Sequence, residues 1–395
     1  MSTGTEPKLR WFPIPAYVGL AWLATLHLTH MLERDSEDAE QSAGDKGTDG
    51  HRGSLVRMYA SLPLRSVSRI WGNINSFELP LGARKPVYST YSYLFGCNLA
   101  EMKEPNLLTF TNLGEFFYRK LKDGARPLAS ALDASVVCPA DGTVLTCGVV
   151  QRGAVEQIKG ITYSLDALLG KKNQASGMHI HDTSTMHKTL EIASSQTMHN
   201  IRDTQAGSNI VQEINNNSEQ NVENMENDHP SYQAKEGNRI FSAVIYLAPG
   251  DYHRFHSPTE WKLKTLRHFC GELFSVSPFM AKYIPDLFVL NERVAMLGQW
   301  KHGLFSMVAV GATNVGSIVI NSAAHLKTNR PSQQISTRGT FLEDQHPVGL
   351  DVSRGDELGG FKLGSTVVLV FEAPESFKFS VEPGKKVKYG QAMGK

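Results

Sequence analysis

Residues 363–371 read LGSTVVLVF: a Gly-Ser pair followed without interruption by β-branched, aliphatic and aromatic residues from Thr366 to Phe371. An apolar run of this length, bounded by glycine and rich in valine, is the signature of a buried strand. Ser365 therefore opens a strand. That placement differs from the G-x-S-x-G elbow of an α/β-hydrolase, where the serine stands between a strand and a helix. Working upstream, Val136–Val149 (VVCPADGTVLTCGV) sets the turn formers Pro139-Ala140-Asp141-Gly142 between two β-rich runs. Phe241–Leu247 (FSAVIYL), Phe305–Val310 (FSMVAV) and Ser317–Ile320 repeat the β-branched pattern. The fold class expected is α+β, with a β-rich, barrel-like catalytic domain, N-terminal helices and a membrane anchor.

The anchor is read from Ala16–Leu32 (AYVGLAWLATLHLTHML), preceded by Lys8 and Arg10 and followed by an acidic run from Glu33 to Asp49. It is at the short end of what spans a bilayer, and the charge asymmetry fits the positive-inside pattern. An uncleaved signal segment or a buried helix gives the same composition. The domain plan is thus an N-terminal segment, 1–54, with a single span at about 16–32 and an acidic linker, then a catalytic domain over 55–395. Leu55–Ile74 alternates basic and apolar residues around Pro63, which suits a helix lying on an anionic membrane or one packed on its own domain. Asn112–Lys122 begins with a capping asparagine and spaces Leu113, Phe116, Phe117 and Leu121 as a helix does. Between about 171 and 237 the chain turns Asn-, Gln-, Ser- and Glu-rich and reads as a disordered insertion. Its histidines, His179, His181, His187 and His199, follow composition rather than metal-ligand spacing, and no metal site is expected.

With 40 basic and 39 acidic residues the net charge is +1, so nothing global favours nucleic acid as a partner. Cys97, Cys138, Cys147 and Cys270 form no C-x-x-C pair and no disulfide framework. Val381–Met393 (VEPGKKVKYGQAM) reads as a β-turn-β unit with Pro383-Gly384 at the turn, similar to hairpins of biotinyl and lipoyl carriers. Lys385 and Lys386 lack the setting of a modified lysine, so only the barrel-like hint is kept. Leu273–Leu290 offers Phe279, Met280, Ile284, Leu287 and Phe288 either as core or as an apolar surface for lipid.

Three segments carry chemistry together: Pro139-Ala140-Asp141-Gly142, Asp251–Pro258 (DYHRFHSP) and Leu363-Gly364-Ser365-Thr366. Each lies at the end of a β-run, where side chains from distant strands converge. Asp141, His256 and Ser365 can act as orienter, base and nucleophile. Gly364 suits an unusual target. If the Ser365 hydroxyl attacks the carbonyl before it, a residue without Cβ permits the close approach at least cost. The ester so formed can undergo β-elimination, releasing the upstream chain and leaving dehydroalanine, which hydrolyses to a pyruvoyl group and ammonia.

These segments resemble the mitochondrial-type phosphatidylserine decarboxylases, a pyruvoyl-dependent family. The similarity runs from about Arg65 to the C-terminus through Lys85–Ser89, Asn112–Lys122 with Ala125-Arg126-Pro127, Val155–Leu165, Tyr246–Pro258, Asn291–Val294, Trp300–Gly303, Val310–Ile318 and Leu363–Pro374. The resemblance implies cleavage between Gly364 and Ser365 into a β subunit, 1–364, and an α subunit, 365–395. It implies Asp141, His256 and Ser365 as the self-cleavage triad, and a covalent pyruvoyl cofactor derived from Ser365. That group would form a Schiff base with phosphatidylserine, lose carbon dioxide and release phosphatidylethanolamine. His253 would serve decarboxylation and proton transfer, although spacing alone does not divide the work between His253 and His256. The implied place is the mitochondrial inner membrane, single-pass, with the catalytic domain facing the intermembrane space, and a homo-oligomer stays open. The alternatives are a membrane-anchored serine hydrolase using Asp141, His256 and Ser365, and a non-enzymatic carrier or scaffold.

Overall fold

A computed structural model describes Tyr59 and residues 62–395 except 133, 159, 172–177, 180–230, 314–316, 332–340 and 363–364. These belong to the unit Val56–Lys395. The anticipated span at 16–32, most of the polar insertion and Gly364 lie outside the described residues. Among the described residues no helix is long and apolar enough to cross a membrane.

The helices are α1 (Leu64–Asn75), α2 (Leu81–Phe95), α3 (Leu113–Phe117), α4 (Leu165–Leu169), α5 (Pro278–Ala281) and α6 (Leu287–Leu290). Pro63 precedes α1, as fits a residue that cannot continue a helix backwards. Gly96, at φ +70°, ends α2 in the left-handed conformation that glycine adopts without penalty. Asn112 caps α3 by accepting from Glu115 N at 2.9 Å, as its sequence promises. The helix nevertheless stops at Phe117, short of the anticipated Lys122, because Leu121 leaves the helical face to form an antiparallel bridge with Met102.

The strands begin with β1 (Val136–Val137), β2 (Gly142–Val149), β3 (Ala154–Ile158), β4 (Ile161–Ser164) and β5 (Met178–His179). There follow β6 (Asn238–Leu247), β7 (Arg254–His256), β8 (Trp261–Phe269), β9 (Arg293–Trp300) and β10 (Gly303–Val310). The C-terminal part adds β11 (Ile318–Ile320), β12 (Leu342–Val352), β13 (Glu357–Phe361), β14 (Ser365–Pro374), β15 (Lys386–Val387) and β16 (Ala392–Gly394). Nine of them form one sheet in the order β15-β2-β6-β14-β10-β9-β8-β12-β5, and β11-β13-β7 form a second.

The main sheet is antiparallel except where β12 meets β5. It is not the barrel anticipated. Closure requires the two edge strands to pair, and here the edges, β15 and β5, are separate two-residue strands. Val381–Met393 differs from expectation in the same way. Gly384 does turn the chain, at φ +80°, but β15 and β16 both follow it and pair with β2 and β1, while the stretch before the turn meets β16 only at a bridge between Phe379 and Gly394.

β14 lies at the middle of the core, between β6 and β10, and Val367–Phe371 are fully buried. Each such side chain contributes roughly 1.5–3 kcal/mol through burial. Phe371 packs against Phe241, Trp300, Phe305 and Phe377 with ring centroids 5.2–6.0 Å apart. Met280, Ile284, Leu287 and Phe288 are buried in the same cluster, so Leu273–Leu290 is core rather than a lipid-facing surface. None of the four cysteines forms a disulfide. Tyr232, inside the polar segment, is buried and donates to Gly170 O at 2.8 Å.

Candidate active site

Ser365, the first residue of β14, stands opposite Leu247, the last of β6. Beyond Leu247 the chain turns, with Ala248 N donating to the Asp251 carboxylate and Asp251 N donating to Ala248 O, both at 2.9 Å. The turn leads into His253 and then β7, which pairs with β13; Phe361 N, near the start of the approach to Ser365, donates to His253 O at 2.9 Å. The close pairing of β13 depends on Gly360, where a Cβ would fall 2.6 Å from His253 O.

Ser365 is fully buried, and its Oγ has no hydrogen-bond partner among the described residues. His253 is also fully buried, its ring 4.0 Å from that of Phe117 in α3. Its Nδ1 lies 2.7 Å from Asp251 O, which can only accept, so the ring proton sits on Nδ1 and Nε2 is a bare lone pair. That Nε2 also lacks a partner among the described residues. Burial pushes the imidazole down to a pKa of about 3, which keeps it neutral.

His256 is oriented more fully. Its Nδ1 lies 3.0 Å from Gly355 O, so the same logic puts the proton there and leaves Nε2 to accept from the Tyr252 hydroxyl at 3.0 Å. The ring stacks on Tyr389 at 3.8 Å, and burial lowers its pKa. Asp141 precedes β2 and is buried. It takes Arg126 Nε at 3.0 Å and Nη2 at 2.7 Å, Tyr389 N at 2.9 Å and Lys388 Nζ at 3.2 Å. Burial pushes the Asp141 carboxyl up, but the Arg126 hydrogen bonds and the Tyr389 N–H outweigh it and hold the pKa below the usual range.

Asp141 thus makes no direct hydrogen bond to His256. The carboxylate is taken up by Arg126, and the imidazole tautomer is held by Gly355 O instead. The two are linked through Tyr389, whose N–H meets Asp141, whose ring covers His256, and whose hydroxyl donates to Gly355 O at 3.0 Å.

The phosphatidylserine decarboxylase family model matches residues 113–207 and 193–395. The mitochondrial phosphatidylserine decarboxylase proenzyme 1 of Candida albicans is 42% identical, over 85% of this chain and 69% of that protein. Those of Schizosaccharomyces pombe and Saccharomyces cerevisiae are 45% and 38% identical, over 85% and 98% of this chain and 81% and 84% of theirs. The chain belongs to the phosphatidylserine decarboxylase family.

Of the segments that carry the likeness to phosphatidylserine decarboxylases, Tyr246–Pro258 and Ser365–Pro374 build the site, whereas Asn291–Val294 holds the scaffold. Asn291 bridges Phe274 O and Gly311 O, and Glu292 meets His268 at 2.9 Å. Arg293 is buried, with its pKa lowered by burial to about 9, and donates to Ala167 O, Leu168 O and Val289 O at the ends of α4 and α6. Tyr252 was legible only as part of a motif, and Arg126 only as part of a matching segment. Tyr389 reaches the site from a C-terminal turn that carries no catalytic signature.

Proposed function

We propose that this chain cleaves itself between Gly364 and Ser365 and, with residue 365 converted to a pyruvoyl group, decarboxylates phosphatidylserine to phosphatidylethanolamine. The observation that carries the reading is Ser365 itself: a fully buried serine at the head of an interior strand of the main sheet, its Oγ unpartnered among the described residues. A nucleophile whose target is the preceding peptide needs no opening to solvent. A hydrolase triad needs an acid that orients its base, a duty from which Arg126 withdraws Asp141.

A pyruvoyl group fits position 365, where among the described residues no donor competes for the side-chain oxygen, and it supplies an electrophilic carbonyl and an electron sink. The remaining work belongs to the chain. His256, neutral and of fixed tautomer, accepts the Ser365 proton at Nε2 once the Tyr252 hydroxyl yields that lone pair. Asp141 keeps Tyr389 on the imidazole and adds negative charge nearby. His253, through its bare Nε2, carries the proton returned to carbon after carbon dioxide leaves.

The lipid is met at a membrane surface. α1 turns Arg65, Ser68 and Asn75 inward, while Val67, Ile70 and Ile74, spaced along one helical face, are exposed. An outward apolar stripe on a helix containing Arg69 suits a bilayer interface. The names of the relatives support a mitochondrial address. Attachment to the inner membrane and a catalytic domain facing the intermembrane space rest on the reading of residues 16–32 as a span and on the family resemblance.

Intact mass and a phosphatidylserine decarboxylation assay test the proposal. Wild-type chain should separate under denaturing conditions into 1–364 and 365–395, the shorter piece lacking a free amino terminus. Ser365→Ala should remain whole and release no carbon dioxide. A whole, active wild-type chain would sink the reading.

A further inference from the structure

A cavity of about 330 Å³ lies between α1, the start of α3 and the Lys327–Pro331 loop, and Ser317 and Lys362 complete its wall. Its cations are Arg69, Lys327, Arg330 and Lys362, and no carboxylate lines it among the described residues. Arg69 is held by neutral groups, Asn329 Oδ1 at 3.2 Å and Ser66 Oγ at 2.8 Å, which fix the guanidinium without neutralising it. Asn75, only 5% exposed, also lines the cavity, and its Nδ2 has no hydrogen-bond partner among the described residues. A buried amide donor without a protein acceptor is costly unless a ligand supplies one. A fixed Arg69 guanidinium, three further cations on the wall and an unused donor match a phosphate diester, a singly charged group rich in acceptor oxygens.

The cavity also neighbours the reaction site through two short connections. Gly114 lines it and begins the helix that sets Phe117 against His253. Lys362 lines it and follows Phe361, which is bonded to His253 O. The apolar stripe of Val67, Ile70 and Ile74 lies on the same helix as Arg69, so a headgroup in the cavity can leave its acyl chains beside α1.

We propose that the basic cavity bounded by Arg69, Asn75, Lys327, Arg330 and Lys362 binds the phosphodiester of the glycerophospholipid substrate and holds its amino-acid headgroup toward His253. The assignment rests on the decarboxylase reading for the identity of the lipid, whereas the phosphodiester chemistry comes from the cavity alone.

The test uses the full chain carrying Ser365→Ala, so that binding is measured without turnover. Calorimetric titration with glycerophosphoserine should give saturable binding that Lys327→Gln/Arg330→Gln weakens at least tenfold and Lys362→Gln weakens severalfold. All three substitutions replace an exposed lysine or arginine, and an unchanged melting temperature guards against misfolding. Inorganic phosphate should bind at least tenfold more weakly than glycerophosphoserine. In the processed enzyme the double substitution should raise KM for phosphatidylserine about tenfold with kcat little changed. Unaltered binding and KM in the double variant would overturn the assignment, as would inorganic phosphate binding as tightly as the diester, which would mark a free-phosphate site. Wild-type enzyme that binds glycerophosphoserine in a Lys327- and Arg330-dependent way yet releases no carbon dioxide would refute the decarboxylase reading and leave the cavity standing.

Discussion

His253 and His256 sit three residues apart and are held for different work. Each has its proton fixed on Nδ1 by a backbone carbonyl, but only His256 has its Nε2 covered, by Tyr252. The spacing of the pair said nothing of this, because the difference is made by Asp251 O, Gly355 O and a tyrosine hydroxyl that no pattern announces. Burial lowers both pKa values, so both rings stay neutral, and able to accept a proton, below the usual histidine value. Self-cleavage should therefore persist as pH falls through 6.5 and fail only further down; a processing rate followed by gel from pH 7.5 to 5 that halves at the ordinary histidine value would contradict this. The same burial links to stability. Unfolded His253 takes up a proton below about 6.5 and the folded residue only near 3, so between those values the unfolded state binds more protons and stability falls as pH drops. One proton corresponds to about 1.4 kcal/mol per pH unit. Denaturant unfolding of Ser365→Ala between pH 6 and 4 should show that slope reduced by about this amount in Ser365→Ala/His253→Gln. Arg126→Met should cost about 3 kcal/mol, since it leaves the buried Asp141 carboxylate to Lys388 and one backbone N–H, and should slow processing at least tenfold. Denaturant titration and the gel assay would check it, and an Arg126→Met chain that is both stable and fast would remove Asp141 from the mechanism.

At the level of elements, what could be read from the sequence were the strands buried on both faces, because their valine-rich runs have no other comfortable environment. Thr366–Phe371, Phe241–Leu247 and Phe305–Val310 all lie within paired strands. What could not be read was how strands end and what their edges meet. The open sheet follows from two-residue edges, the short α3 from a bridge between Leu121 and Met102, and the Asp141–Tyr389–His256 link from a C-terminal arm that pairs with β2 rather than with its own partner. Backbone proximity is equally silent in a sequence. At Gly142, beside Asp141, a Cβ would fall 2.4 Å from Tyr246 O, so β2 can lie against β6 only without a side chain there. Gly142→Ala should push the Asp141 turn off the end of β6, destabilise the chain by about 1–3 kcal/mol and cut processing severalfold. Thermal melts and the gel assay measure both effects. A variant that melts like wild type and still processes normally would mean that the β2–β6 approach can relax without cost.

For the whole molecule, the proposed cut falls at the entrance to an interior strand of the main sheet. Every residue of β14 from Ser365 to Pro374 is paired with β6, and Thr366–Phe371 are also paired with β10. The shorter piece also supplies β15 and β16, which close onto β2 and β1, and Tyr389, which covers His256. Breaking one peptide bond removes none of those contacts, so the pieces should co-elute as one species under native conditions. The covalent change instead alters the unfolded state. In the uncut chain, unfolding is unimolecular; once cut, it releases a separate peptide whose return depends on concentration. The melting temperature of processed protein should rise with protein concentration, while that of Ser365→Ala should not. A hundredfold dilution series in differential scanning calorimetry measures this directly. Equal concentration dependence in the two would point to dissociation of an oligomer, and none in either would mean that the pieces stay joined after unfolding.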